Sequence, residues 1–179
     1  MADKFLLIAI TSPGIVCNEA VRLVSLLNNG FHYLHIRKPL WKKHDIVALI
    51  EKIPDKYHSR LILHDFHELI ENYNLGGLHY NSRNPYRHNN IPYSASCHSK
   101  EDILKWPDAR YVFLSPIYNS ISKPDYKSAF NLKKISPDII GHKVIALGGV
   151  TPEKLPDIKA AGFAGAAMMG FLWSENFVE

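Results

Sequence analysis

The chain has 179 residues, 46% of them hydrophobic and 21% charged, with a formal net charge of +4. That profile suits a globular domain with a sizeable core, and a single domain over residues 1–179 is the expectation. No run approaches the ~20 consecutive apolar residues of a membrane span, no cleavable signal pattern opens the chain, and Cys17 and Cys97 lie far apart without a CxxC spacing. A membrane protein, a disulfide scaffold and a zinc knuckle are therefore set aside, and a cytoplasmic location is expected. The positive charge would suit nucleic acid or small phosphates; Lys and Arg are scattered, and composition alone does not separate the two.

In chain order, Phe5 to Ile10 is an apolar run closed by Thr11-Ser-Pro-Gly14, and Asn18 to Asn28 carries apolar residues at helical spacing before Asn29-Gly30. The alternation repeats: strand Tyr33 to Ile36 with a helix near His44 to Ile53, strand Leu61 to Leu63 with helix Glu68 to Tyr73, then strand Gly77 to His79. Strand Tyr93 to Ser96 precedes helix Lys100 to Leu104; strand Tyr111 to Leu114 precedes a long loop and a short helix near Asn131. Strand Val144 to Leu147 with helix Pro152 to Ala161, and strand Gly165 to Met169, complete the series.

Eight strands alternating with helices predict an α/β protein with a closed (β/α)8 TIM barrel; an open flavodoxin-type sheet is the alternative. The length is short for such a barrel. The expectation is a trimmed one, with a degraded helix after strand 4 (Arg83 to Asn90) and an incomplete last helix toward Glu179.

Barrel chemistry sits at the C-terminal strand ends. His35, His64, His79 and His98 fall at or just after the ends of strands 2 to 5, and Asp65 follows His64. Any one of them is more often a hydrogen-bonded structural histidine, but four successive strand ends favour a shared site, and convergence of three or four rings would make a metal cluster. Arg37 shares a strand face with His35, and Lys123 lies with Ser120 and Ser122 in the loop after strand 6, a set suited to phosphate oxygens or to solvated surface. Gly148-Gly149 after strand 7 and Gly170 after strand 8 would let backbone N–H groups approach an anion; tight-turn geometry is the competing explanation.

Together, His35-Ile-Arg-Lys-Pro39, Ile62-Leu-His-Asp65, Gly77-Leu-His79, Ser94-Ala-Ser-Cys-His98, Leu114-Ser-Pro-Ile-Tyr-Asn-Ser-Ile-Ser-Lys123 and Ala146-Leu-Gly-Gly-Val-Thr-Pro152 resemble the thiamine phosphate synthase and thiazole tautomerase (TenI) family of (β/α)8 barrels. In the synthase branch, strand 2 reads Gln-Leu-Arg-Glu-Lys, with Arg and Lys on the pyrophosphate of a hydroxymethylpyrimidine substrate. Here Arg37 is kept, His35 replaces Gln, and Pro39 stands at the Lys position with Lys38 beside it. The Asn-Asp pair after strand 3 reads His64-Asp65, and Asn84 stands where the family has a second magnesium-binding Asp. An amide is a poorer Mg²⁺ ligand than a carboxylate.

The departures fall on the pyrimidine, pyrophosphate and metal side, while Ser120, Ser122, Lys123, Gly148 and Gly149 match the thiazole phosphate side; Gly170 replaces a frequent Ser. The resemblance therefore implies an enzyme of thiamine biosynthesis, an isomerase of the thiazole tautomerase type needing no cofactor. Its alternatives are a thiamine phosphate synthase, a transferase that would use Mg²⁺ at Asp65, and a non-catalytic thiazole-phosphate-binding barrel. A metal-dependent hydrolase built on the four histidines is a further alternative.

The resemblance assigns His98, Arg37 and Lys123 to catalysis and His35, His64, Ser96, Ser120, Ser122, Gly148, Gly149 and Gly170 to substrate binding. It implies a small-molecule thiazole phosphate, with a pyrimidine pyrophosphate in the synthase case, as partner rather than nucleic acid or membrane, and a homo-oligomer. His98 suits proton transfer because an imidazole can take and give a proton near neutral pH. Cys97 is expected to pack rather than react.

Overall fold

The computed structural model describes residues 5–81, 84, 90–119, 128, 130, 132 and 143–174. Eight parallel strands pair in sequence order and close into a barrel: Leu6–Ile10 (β1), Tyr33–Ile36 (β2), Leu61–Leu63 (β3), Gly77–Tyr80 (β4), Tyr93–Cys97 (β5), Tyr111–Leu114 (β6), Val144–Ala146 (β7) and Gly165–Met168 (β8). The closing pair sets Leu6 against Gly165 and Ala9 against Met168. An open doubly wound sheet would leave two edges and reorder its strands, so this closure decides between the two predicted architectures.

Among the described residues the α-helices are Glu19–Asn28 (α1), Lys43–Glu51 (α2), Lys100–Leu104 (α3) and Leu155–Ala160 (α4). Leu23, Leu26 and Leu27 of α1 pack inward at helical spacing, and Ser99 caps α3 by accepting from the Asp102 N–H. Two expected helices come out shorter. Glu68 to Tyr73 is a 3-10 turn over His67–Glu71, and Pro152 to Ala161 splits into a 3-10 turn, Pro152–Lys154, followed by α4. Pro156 lacks an N–H and is tolerated only in a first turn, which sets the start of α4. Single turns and strands of three to five residues are how a short chain closes a full barrel. Most of the segment expected as a degraded helix after β4, the expected helix near Asn131 and the end of the chain lie outside the described residues.

Strand alternation divides the core in two. Leu34, Ile36, Leu61, Leu63, Ala95 and Cys97 face outward into the layer beneath the helices. Ile8, Ile10, Tyr111, Phe113, Ile145 and Ala167 fill the lumen. That apolar filling comes from β1 and β6–β8. On the β2–β5 side most buried lumen side chains are polar, His35, His64, His79 and Ser94 beside the apolar Ile62, with Ser96 half-buried above.

Candidate functional site in the barrel mouth

A buried polar group must find a hydrogen-bond partner, and the β2–β5 side of the lumen is a network that satisfies this requirement. His35 Nδ1 lies 2.9 Å from His64 Nε2, and His35 Nε2 lies 2.7 Å from the Tyr111 hydroxyl. His79 is held between two serines, with Nδ1 2.8 Å from Ser94 Oγ and Nε2 2.8 Å from Ser96 Oγ. Burial, and after it the neighbouring His79, holds His35 well below the usual imidazole range, so the ring is neutral. Burial likewise pushes the Tyr111 hydroxyl far up, so it stays a phenol.

The structure thus brings together His35, His64, His79 and Ser96, with Ser94 and Tyr111 as members that sequence reading did not single out. The signal was present: period-2 alternation puts Ser94 on the face of Ser96 and Tyr111 on that of Phe113. A ligating nitrogen from each of His35, His64 and His79 lies within 4.8 Å of the others. However, His64 and His79 stack with ring centroids 4.1 Å apart and planes only 23° apart, so their in-plane lone pairs lie in two nearly parallel planes that share no nearby metal position. Both nitrogens of His79 are also engaged by serines. This arrangement is a hydrogen-bond network rather than a converged metal centre.

His98 stands apart from the three lumen histidines. It is exposed after β5, and its Nδ1 lies 2.9 Å from the Ser115 carbonyl. A carbonyl only accepts, so when the ring is neutral Nδ1 carries the proton and Nε2 is left as the basic nitrogen. Cys97, next in the chain, is fully buried and its thiol is pushed up to about 12 by burial, as a packing residue should be.

Arg37 follows β2, with its N–H on the Thr11 hydroxyl and its carbonyl accepting from the same group, which ties the β2 end to the β1 end. Lys38 is buried. Its Nζ lies 2.5 Å from Glu19 Oε2 and 2.6 Å from the Gly14 carbonyl, and 4.3 Å from the Trp41 ring centroid. The amine that sequence reading set beside the lost pyrophosphate lysine is already neutralised by Glu19. Beyond it a cavity of about 440 Å³ opens, walled by Lys38, Trp41, Asp65, Phe66, Glu68 and Asn84 among others.

Gly148 and Gly149 have φ of 97° and 61°. A Cβ on Gly149 would meet the Asn119 carbonyl at 2.1 Å, and one on Gly148 would meet Pro116 Cα at 2.9 Å. The loop after β7 packs against the loop after β6, with Tyr118 N–H on the Gly148 carbonyl at 3.0 Å. Close packing and left-handed backbone thus require glycine at both positions. Gly170 has ordinary helical backbone, φ −57° and ψ −39°. Ser120, Ser122 and Lys123 lie outside the described residues.

A family model described as thiamine monophosphate synthase matches residues 7–172. The chain belongs to the thiamine monophosphate synthase (TMP-TENI) family. A thiamine phosphate pyrophosphorylase from Bacteroides thetaiotaomicron is 35% identical, with a TM-score of 0.82 over 98% of this chain and 89% of that one. A second, from Pyrococcus furiosus, shares the fold at 16% identity, with a TM-score of 0.78 over 97% of this chain and 90% of that one. A thiamine-phosphate synthase from Latilactobacillus sakei subsp. sakei (strain 23K) is 27% identical over 125 residues, which span 63% of this chain and 56% of that protein. TMP-TENI is a family of thiamine biosynthesis enzymes, and the names of these relatives back the transferase reading over the isomerase one.

Thiamine-phosphate synthases generally use Mg²⁺. Among the described residues the candidate ligands are Asp65 and Asn84, and Asn84 does not supply the second charge such a site would use. The Asn84 side chain donates from Nδ2 to the His64 carbonyl at 2.9 Å and to Asp65 Oδ1 at 3.3 Å. Because the carbonyl can only accept, it fixes which end of the amide is NH₂, and that donor is what faces the carboxylate. A hydrogen-bond donor stands where a second anionic ligand would be needed.

Proposed function

We propose that this chain binds a thiazole phosphate at the barrel mouth and isomerises it by proton transfer, as a thiazole tautomerase-type enzyme. The Asn84–Asp65 hydrogen bond carries this reading, because it sets an amide donor on Asp65 Oδ1 where a synthase would place a second anionic ligand. The neutralisation of Lys38 by Glu19 supports it from the pyrophosphate side. In this reading Arg37, Lys123, Ser120 and Ser122 grip the phosphate through charge-assisted hydrogen bonds, with the backbone at Gly148, Gly149 and Gly170. His35, His64 and Ser96 floor the site.

Isomerisation removes a proton from one carbon and adds one at another. His98, with the Ser115 carbonyl on Nδ1, offers Nε2 as the base. The test is direct: purified protein with the thiazole phosphate carboxylate tautomer should convert it faster than the uncatalysed reaction, and His98→Ala should abolish the conversion. A Lys123→Ala variant should lose about 1–3 kcal/mol of affinity, the range for a hydrogen bond to a charged group, with little change in melting temperature.

The transferase is the second reading, favoured by the names of the relatives. Metal-dependent formation of thiamine phosphate from hydroxymethylpyrimidine pyrophosphate, thiazole phosphate and Mg²⁺ would establish it in place of the first. The same preparations would decide the homo-oligomeric state we expect, by light scattering.

A further inference from the structure

Both carbonyls of the glycine pair after β7 are turned onto donors of the protein. The Gly148 carbonyl accepts from the Tyr118 N–H at 3.0 Å, and the Gly149 carbonyl accepts from Lys154 Nζ at 2.5 Å. In a trans peptide the N–H points opposite the carbonyl, so the Gly149 and Val150 N–H groups face away from Tyr118 and Lys154. Neither of these two N–H groups donates to a partner among the described residues. The Val150 side chain is buried in the core, which anchors this peptide from below.

Lys154 reaches the peptide because the chain turns back at once. Pro152 opens a 3-10 turn, Pro152–Lys154, and the Lys154 N–H closes it on the Thr151 carbonyl at 3.1 Å. The ammonium also lies 4.4 Å from the centroid of the Tyr118 ring. A carbonyl and a π-face hold a cation without cancelling its charge. Among the described residues Lys154 forms no ion pair, in contrast to Lys38, whose charge Glu19 offsets.

We infer that Lys154 is the fixed cation behind the phosphate site, a positioning residue that aims the Gly149 and Val150 N–H groups and strengthens their hold on a phosphate monoester. The inference rests on the reading that a thiazole phosphate binds at the barrel mouth. Lys154 acts through the peptide rather than by contact. Its bond to the Gly149 carbonyl polarises the Gly149–Val150 amide, and hydrogen bonds in series strengthen one another. A phosphate oxygen on the far side of that amide would stand about 7 Å from Nζ, the width of a peptide between two hydrogen-bond lengths. At that separation, in partly buried surroundings, a unit charge still attracts an anion appreciably. The ligand class is therefore set by charge: a phosphate ester gains from Lys154, and the same thiazole without its phosphate does not.

Calorimetric titration of the full chain with thiazole phosphate, and with the unphosphorylated thiazole alcohol, tests this. Lys154→Met keeps the stem over Tyr118 and removes the charge. It should raise the Kd of thiazole phosphate about tenfold, leave that of the alcohol within twofold, and flatten the salt dependence of phosphate binding. Lys154→Arg should restore phosphate affinity to within threefold of wild type. A staple that only held the loop would weaken both ligands alike and lower the melting temperature with them, so equal losses would overturn the inference. Phosphate affinity within twofold of wild type in a folded Lys154→Met would do the same. If that variant does not fold, Lys154→Gln, which keeps a donor without charge, is held to the same thresholds. A wild type that binds thiazole phosphate no better than the alcohol would remove the phosphate reading and the inference together, whereas a preference that survives Lys154→Met would remove the inference alone.

Discussion

Lys38 and Glu19 form a buried ion pair, Nζ to Oε2 at 2.5 Å, in which the lysine has no exposed side-chain surface and the carboxylate 4%. Burial pushes the Glu19 carboxyl up and the Lys38 amine down, and each partner opposes that shift in the other. The pair ties the loop after β2 to the start of α1, and the Gly14 carbonyl takes a second Lys38 bond. Removing one member leaves the other buried and uncompensated. Glu19→Ala should therefore cost about 3–5 kcal/mol in urea unfolding, and Glu19→Leu combined with Lys38→Met should cost clearly less. Equal costs would mean that packing rather than charge holds this corner.

Asn84 and Asp65 predict a gain of function in metal binding. Replacing Asn84 by Asp exchanges an amide donor for a second carboxylate beside Asp65. Asn84→Asp should acquire a melting temperature that rises with millimolar Mg²⁺, by about 1 kcal/mol or more of stabilisation once the ion exceeds its Kd several-fold. The wild type should show no such rise.

The two glycine loops should respond differently to a methyl group. Gly149→Ala meets the Asn119 carbonyl and a left-handed backbone, so it should lose at least about 1–2 kcal/mol of stability. Gly170→Ala has helical backbone and should stay within about 0.5–1 kcal/mol of wild type. Thermal and urea unfolding of both variants without ligand checks this contrast.

His35 makes stability depend on pH. Its folded-state pKa is depressed by burial, so below about pH 6.5 the unfolded chain binds a proton that the folded one does not. Stability from this residue is complete above that pH and falls on acidification toward the folded pKa, by on the order of 1 kcal/mol per pH unit. Urea unfolding at pH 7.5 and 5.5 should show the loss. His35→Gln, which does not titrate, should show a smaller one.

The barrel itself was legible in the chain, because eight apolar runs separated by helical spacing or turn residues leave few ways to bury every strand on both faces. The lumen histidines were legible as strand-end residues, but not as partners. His35 and His64 are 29 positions apart and His35 and Tyr111 are 76, and only closure of the sheet brings their polar atoms to 2.9 and 2.7 Å. His98 looked like a fourth member of the same set. Its place after β5, tied to the Ser115 carbonyl, leaves it outside that network and defines its tautomer. Lys38 read as a spare cation beside the lost pyrophosphate lysine, because sequence shows the type of a residue but not what stands opposite it. Its partner is Glu19. Secondary structure follows from local spacing and propensity, which a chain carries in its order. Neutralisation, tautomer choice and close approach depend on which distant groups the fold presses together, and tertiary structure alone decides them.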